Sequence, residues 1–402
     1  MRILQLHNLY RQRGGEDASA EAEAEALERA GHEVVRHLVR NPETPRATVA
    51  TLARAPANRA SAARVRELVR SHRPDVAHVN NTWFTLTPSV FAALADEGVP
   101  TVHTLHNYRL LCVNSLLFRD NRPCTDCVGR GPWPGVIHRC YRDSLPASVA
   151  AATTITVNRR RGSWQGIDRL IAPSEFARGI FAGAGFDPER ISVVPGMVAD
   201  PGPRSAPPSS SREVIYAGRL SPEKGLDLLL DAWAEVGAAL DLDLTIYGDG
   251  PMRAQLEAKL PPRARLVGWC DRAELEASML SARALVFPSQ CYETFGRATG
   301  EAFAAGLPVL GSAEGAAGEL LATQGDRLSV AGNDLGGWAD SLGALTDDSL
   351  VDRAGSLGRA HFETNLAAPV VVERLTAVYA DAVAGAADGQ LPWPTTHVEG
   401  TR

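Results

Sequence analysis

Residues 213–233 read EVIYAGRLSPEKGLDLLLDAW. A short apolar, β-branched run, Val214 to Ala217, gives way to a loop opened by Gly218, and Leu226 to Trp233 carries helical spacing. This strand–glycine loop–helix unit starts a doubly wound α/β domain. The chain opens in the same way, with a strand at 2–7, the pair Gly14-Gly15 in a loop, a helix from Ala18 to Ala30 and a strand from His32 to Val39. Strands and helices go on alternating through Ala60–Ser71, Asp75–Asn80, Pro88–Glu97 and Pro100–Leu105, which implies a parallel sheet. Asn107 to Tyr141 interrupts the rhythm. A helix at Ser144–Asn158 and strands at Arg169–Ala172 and Ile191–Val194 follow, and DPGPRSAPPSSS at 200–211 reads as a linker. The fold expected is α/β, with two facing Rossmann-like domains and a deep cleft between them.

A length of 402 residues suits two or three domains at about 150 residues each. With 45% hydrophobic and 22% charged residues the chain is an ordinary globular one, and no run of about 18 apolar residues suggests a membrane span. The N-terminus enters a strand directly, without a signal peptide's apolar stretch, so a cytoplasmic address is expected. Of 41 basic residues only Lys224 and Lys259 are lysines. Residues 1–200 carry +5 and residues 201–402 carry −11, adding to the net −6. No nucleic-acid module is present, and the net charge argues against such a partner.

Two motifs carry chemistry. Gly218 turns the chain sharply out of its strand, and Arg219 and Lys224 then place two cations at the strand's carboxyl end, where such sheets bind ligands. A pair of phosphates is the natural counter-charge. Further on, Phe287-Pro288-Ser289 leads to Glu293-Thr294-Phe295-Gly296-Arg297 and Glu301. A helix beginning near Thr294 to Gly296 offers unpaired backbone N–H groups to a phosphate. Glu301, one to two turns in, suits vicinal hydroxyls.

AGRLSPEKGLDLLLDAW, YGDGP at 247–251 and FPSQCYETFGRATGEAFAAGLPV at 287–309 resemble the family-four retaining glycosyltransferases of GT-B fold. The resemblance implies that Arg219 and Lys224 bind the diphosphate of a nucleotide-sugar, that Glu301 holds its ribose and that Glu293 faces the donor sugar. It also brings the amides of Phe295 and Gly296 to sugar and phosphate, with Thr294 standing where many relatives have glycine. Gly14-Gly15 resembles the family's glycine loop, and His106 its cleft histidine. Asn80 occupies a position where some relatives have histidine. Base contacts would be largely backbone, near Gly268, Trp269 and Cys270. Retention in the family resembles a front-face substitution with no protein nucleophile, so no cofactor is expected for the chemistry. Asp241-Leu242-Asp243 leads into a strand and reads as structural, as do His7, His78 and His103. A C-terminal helix at 369–386 is implied to cross back to the first domain.

These readings divide the chain into an acceptor-side domain at 1–200 with an insert at 107–141, a donor domain at 201–368, the returning helix and a tail at 387–402. The activity expected is transfer of a hexosyl group from a nucleoside-diphosphate sugar to a hydroxyl of a glycan, a lipid-linked glycan or a small molecule. The rivals are a sugar-nucleotide sensor or scaffold without turnover, or another GT-B enzyme such as an epimerase. In the insert, Cys112, Cys124, Cys127 and Cys140 are spaced C-x11-C-x2-C-x12-C and can close a structural zinc site, with His138 able to replace one of them. A redox pair or buried thiols are the alternatives, while Cys270 and Cys291 read as packing residues. Arg54, Arg59, Arg64, Arg66, Arg70 and Arg73, with Arg159 to Arg161, form either a solvated face or a surface for peripheral contact with anionic lipid on the inner membrane face.

Overall fold

The computed structural model describes residues 1–11, 14–44, 51, 57–332 and 334–387. Arg54 and the tail beyond 387 lie outside them. The chain forms two compact units: Met1–Leu117 with Cys124–Pro195 and the segment from Val371, and Gly196–Val370 with Phe118–Pro123. The first boundary therefore falls at Pro195/Gly196 instead of residue 200.

The first unit is built on β1 (Arg2–Leu9), β2 (Glu33–Arg40), β3 (Val76–Asn81) and β4 (Thr101–Thr104). A two-stranded hairpin, β5 (Phe118–Arg119) and β6 (Arg122–Pro123), comes next in the chain, followed by β7 (Arg169–Ala172) and β8 (Ile191–Val193). The large sheet is parallel throughout, in the order β2-β1-β3-β4-β7-β8. Its strands bury polar as well as apolar side chains: His7, Asn8, His78, Asn80, Asn81 and His103 lie among Ile3, Leu4, Leu6, Val76, Val79 and Val102.

The second unit carries β9 (Glu213–Ala217), β10 (Asp243–Tyr247), β11 (Ala264–Gly268), β12 (Ala284–Phe287), β13 (Val309–Ser312) and β14 (Ser329–Val330). These pair in the order β11-β10-β9-β12-β13-β14, again all parallel. The strand order reverses between β9 and β12, and the carboxyl ends of those two strands are where a doubly wound sheet receives its ligand. The core beneath is apolar, with Trp233 and Trp338 wholly buried beside Val214, Leu244, Ile246 and Val286.

Residues 200–211 are not a loose linker. Arg204 donates to the carbonyls of Met279 and Ala282, Ser209 is bonded to Asp352, and the buried Arg283 donates to the carbonyls of Ser209 and Ser211. Proline and serine here leave carbonyls exposed to guanidinium groups, and the segment becomes a strap on the second unit. The last helix, Ala368–Ala387, contributes to the first unit from Val371 onward; its buried Tyr379 hydroxyl is bonded to His78 Nδ1 at 2.8 Å. No helix among the described residues is long and apolar enough to cross a membrane.

Candidate active site

At the carboxyl end of β9 the loop Gly218–Gly225 is moulded against two neighbouring backbones. The Gly218 N–H donates to the Tyr247 carbonyl at 3.1 Å, the Leu220 N–H to Asp249 at 3.0 Å and the Met252 N–H to Leu220 at 3.0 Å. This explains the YGDGP motif. Gly248 has φ of 142°, a conformation L side chains rarely adopt, and a Cβ there would overlap the Gly218 carbonyl oxygen. On the other side, a Cβ at Gly225 (φ 67°) would overlap the Pro288 carbonyl oxygen at the end of β12. The loops after β9, β10 and β12 thus meet through glycine.

This close approach puts Lys224 on Glu293. Lys224 Nζ lies 2.5 Å from Glu293 Oε1, which also accepts from the Ser289 hydroxyl at 2.8 Å. Burial alone would raise the Glu293 carboxyl, but the Lys224 ammonium and the hydrogen bonds from Lys224 and Ser289 hold it below the ordinary carboxylate range. Lys224 is desolvated too, yet the Glu293 charge keeps its pKa above the usual lysine value. The pair is therefore ionised at neutral pH. Cys291 Sγ lies 3.8 Å from the same carboxylate oxygen, and burial, reinforced by Glu293, pushes its thiol up to about 12. Cys291 is thus a buried residue that borders the site.

Arg219 is exposed, and its guanidinium has no partner among the described residues. Its carbonyl accepts from the Tyr216 hydroxyl at 3.0 Å, which fixes the backbone while leaving the cation available. The helix after Glu293 starts later than its sequence suggests, at Arg297, with Gly296 as N-cap, and runs to Ala304. Phe295 is buried, Thr294 half-buried. Glu301 is joined to Arg297 Nε at 2.8 Å, so hydroxyls would compete with that guanidinium for its carboxylate. At the end of β11, the Gly268 carbonyl accepts from Gly248 N–H at 2.7 Å and Trp269 is 76% exposed. Ser289 and Arg297 belong to the motif, but its residue pattern gives neither a role. Their signal was position alone, since each lies within four residues of a predicted carboxylate.

The first unit holds a second polar cluster. The helix expected from Ala18 begins at Gly15, with Gly14 as N-cap, because the Asp17 carboxylate takes the Gly14 N–H at 3.0 Å. Both glycines are exposed. Asp17 also meets His7 Nε2 at 2.7 Å, so the buried histidine anchors the glycine turn. His106 Nε2 lies 3.0 Å from Asn80 Oδ1 at the carboxyl ends of β3 and β4. Next to it, Asn107 donates to Glu16 at 2.8 Å, and the Tyr10 hydroxyl to Glu16 at 2.9 Å; burial raises the Glu16 carboxyl against these bonds. His78 and His103 are interior residues: burial pushes the first down to about 3 and the second to about 4.

The described residues gather no group of three or more His, Cys, Asp or Glu side chains suited to a metal. Cys112 turns its sulfur to Asn114 Oδ1 at 3.0 Å and receives a hydrogen bond from the Cys127 thiol, which draws Cys112 below the ordinary thiol range. Cys124 and Cys140 are half-buried and His138 is exposed. Cys112 and Cys127 thus form a buried thiol pair, with Cys140 near enough to act on Cys127. The basic helix, Arg59–His72, has much of its charge matched: Arg64 pairs with Glu67, Arg66 with Asp96 and Arg70 with Glu97. Asp241 and Asp243 are both paired with Arg263, in keeping with a structural role.

Both halves match known glycosyltransferase families. Residues 14–196 match the glycosyl transferase 4-like domain, and residues 211–348 match the glycosyl transferases group 1. The chain belongs to the family-four glycosyltransferases of GT-B fold. It is 28% identical over 340 residues to D-inositol 3-phosphate glycosyltransferase 1 of Catenulispora acidiphila, covering 77% of this chain and 73% of that one. A 33% identical stretch of 119 residues aligns with the GDP-mannose-dependent alpha-mannosyltransferase of Corynebacterium glutamicum, over 29% of this chain and 27% of that protein. The fold is similar to that of Anabaena HepE in complex with UDP-glucose, with a TM-score of 0.65 at 17% identity over 94% of this chain and 99% of that one.

Proposed function

We propose that this glycosyltransferase is a retaining enzyme that takes a hexosyl group from a nucleoside-diphosphate sugar. The observation that carries the reading is the Lys224–Glu293–Ser289 cluster at the carboxyl ends of β9 and β12, beside the exposed Arg219. Arg219 and Lys224 would meet the diphosphate, and Lys224 would exchange its carboxylate partner for a phosphate oxygen. Glu293, released from that ion pair, could then accept from hydroxyls of the sugar. Glu301 would take the ribose, with Trp269 and the Gly268 backbone beside the base.

In the transfer itself, the bond from the anomeric carbon to the phosphate oxygen breaks. The acceptor oxygen bonds to the same face of that carbon, and its proton passes to the departing phosphate. The charge that develops on the diphosphate is what the two cations stabilise, so no metal is assigned to the chemistry. The UDP-glucose in HepE and the GDP-mannose in the name of the mannosyltransferase relative favour UDP or GDP as the nucleotide. The acceptor is a hydroxyl of a glycan, a lipid-linked glycan or a small molecule.

The thermal-unfolding midpoint in the presence of UDP-, GDP- and dTDP-sugars tests the donor directly, because a ligand that binds only the native state raises it. One nucleotide series should raise the midpoint of the wild type and leave that of Lys224→Ala unmoved. Equal shifts in both proteins would remove Lys224 from the donor site. Binding without transfer or hydrolysis, whatever acceptor is supplied, would favour a sensor.

A further inference from the structure

Two helices that follow the hairpin leave an apolar face uncovered. Trp133 and Ile137, one turn apart on Trp133–Ile137, are 50% and 77% exposed; Leu145 and Val149, one turn apart on Leu145–Arg160, are 46% and 39% exposed. Ten large apolar residues are exposed among the described residues, and four of them fall within these 17 positions, so they form a patch rather than the usual scatter. The inner faces of both helices are already used. Val136 from the first and Ala151 and Ala152 from the second pack on one cluster with Trp83, Phe84 and Val113. The connection is held as well: Tyr141 N–H donates to Ser148 Oγ at 3.0 Å, and the Tyr141 ring lies under the guanidinium groups of Arg109 and Arg142, at 5.3 and 5.4 Å.

The rim of the patch is cationic. Arg130, Arg139 and Arg142 are exposed and have no carboxylate partner among the described residues, and Asp143 is the single acid between positions 130 and 149. The paired arginines of the helix Arg59–His72 differ in this respect. An apolar centre with an aromatic ring and an arginine rim without carboxylate partners matches the interface of an anionic bilayer. There the indole sits among the headgroups, the aliphatic side chains reach the acyl boundary and the guanidinium groups meet lipid phosphates. A second copy fits less well, since a two-fold contact would set this arginine rim against itself. We propose that the surface around Trp133, Ile137, Leu145 and Val149 docks the protein on an anionic lipid bilayer. It rests on the first unit alone and is independent of the donor reading.

The test is co-sedimentation of the full chain with vesicles of phosphatidylcholine, alone or mixed with phosphatidylglycerol. The wild type should bind the mixed vesicles and lose that binding as salt is raised. Trp133→Ser with Ile137→Ser should weaken binding about tenfold or more by removing the buried apolar area. Arg139→Glu with Arg142→Glu should abolish the preference for phosphatidylglycerol, and Arg66→Glu with Arg70→Glu should leave binding as it was. Trp133, Ile137, Arg139 and Arg142 are exposed, so in their variants unfolding midpoints and nucleotide-induced shifts should match the wild type, which keeps the readout separate from donor binding. Absence of vesicle binding, or binding that the Trp133/Ile137 variant retains, overturns the proposal. A dimer in light scattering that the same variant abolishes would also overturn it and assign the face to a second copy.

Discussion

The two units share a parallel, doubly wound architecture and place their polar residues in opposite ways. In the first, histidines and asparagines are set into the strands: His7, Asn8, His78, Asn80, Asn81 and His103 are buried, with His7 bonded to Asp17, His78 to Thr104 and Tyr379 and His103 to the Val79 carbonyl, while His7 Nδ1 and Asn80 Nδ2 have no partner among the described residues. In the second, the buried strand positions are mostly apolar, and the Lys224–Glu293 ion pair stands in the loops after β9 and β12. A unit with a polar interior tolerates little change of protonation. One with an apolar core can hold an ion pair at its edge and exchange a partner without disturbing what lies beneath.

The largest effect should come from the loop packing of the second unit. Gly248→Ala puts a methyl group into the Gly218 carbonyl at a φ that alanine resists, and should cost roughly 2–4 kcal/mol while abolishing nucleotide-induced stabilisation. If calorimetry shows an unchanged midpoint and unchanged binding, the loop is not held as described.

Acid should separate the units. His78 and His103, with folded values of about 3 and about 4 against an ordinary 6.5, stay neutral in the fold while the unfolded chain takes up protons below 6.5. Stability is lost as pH falls from 6.5 toward 4, on the order of 3 kcal/mol between pH 7 and 5. Glu293 has the opposite origin and a lower window: its depressed carboxyl stabilises above the ordinary value of 4.5 and loses that contribution only as pH falls through its folded pKa. Hydrogen exchange at pH 5 should show β3 and β4 opening before β9 and β12. Simultaneous opening would break the contrast.

A comparable effect is expected at the strap. Arg283 donates to the carbonyls of Leu345, Ser209 and Ser211 and pairs with Asp348, so Arg283→Met should cost about 2–3 kcal/mol by leaving buried acceptors unpaired. Chemical denaturation measures it, and a loss below 0.5 kcal/mol on the scale of ordinary surface substitutions would return residues 200–211 to the status of a linker. The smallest effect is Tyr379→Phe, about 1 kcal/mol in the same experiment, from the bond to His78.

Local chemistry made much of this legible in the sequence. Apolar runs followed by glycine-containing loops marked β1 and β9, and charged residues in the loops after strands marked Arg219, Lys224 and Glu293. Contacts between distant segments were not legible. Nothing near Glu301 announces that Arg297 holds it, since an i,i+4 pair forms only once the helix start is fixed by Gly296. Nor could proline and serine at 200–211 reveal that Arg283, 72 to 74 residues further along the chain, binds the Ser209 and Ser211 carbonyls, because backbone acceptors carry no side-chain signature. The cysteine spacing admitted zinc as readily as buried thiols, and it carried no sign of the turn that points Cys112 at Asn114.

The central claim is that the second unit holds a nucleoside diphosphate on Arg219 and Lys224. Titration calorimetry of UDP and GDP against the wild type and Lys224→Ala addresses it most directly. One nucleotide should bind the wild type and bind the variant roughly 30- to 100-fold more weakly, in line with the loss of one charge-assisted contact, at an unchanged circular dichroism spectrum. Equal affinity in the two proteins, or no binding of either nucleotide to the wild type, would contradict it.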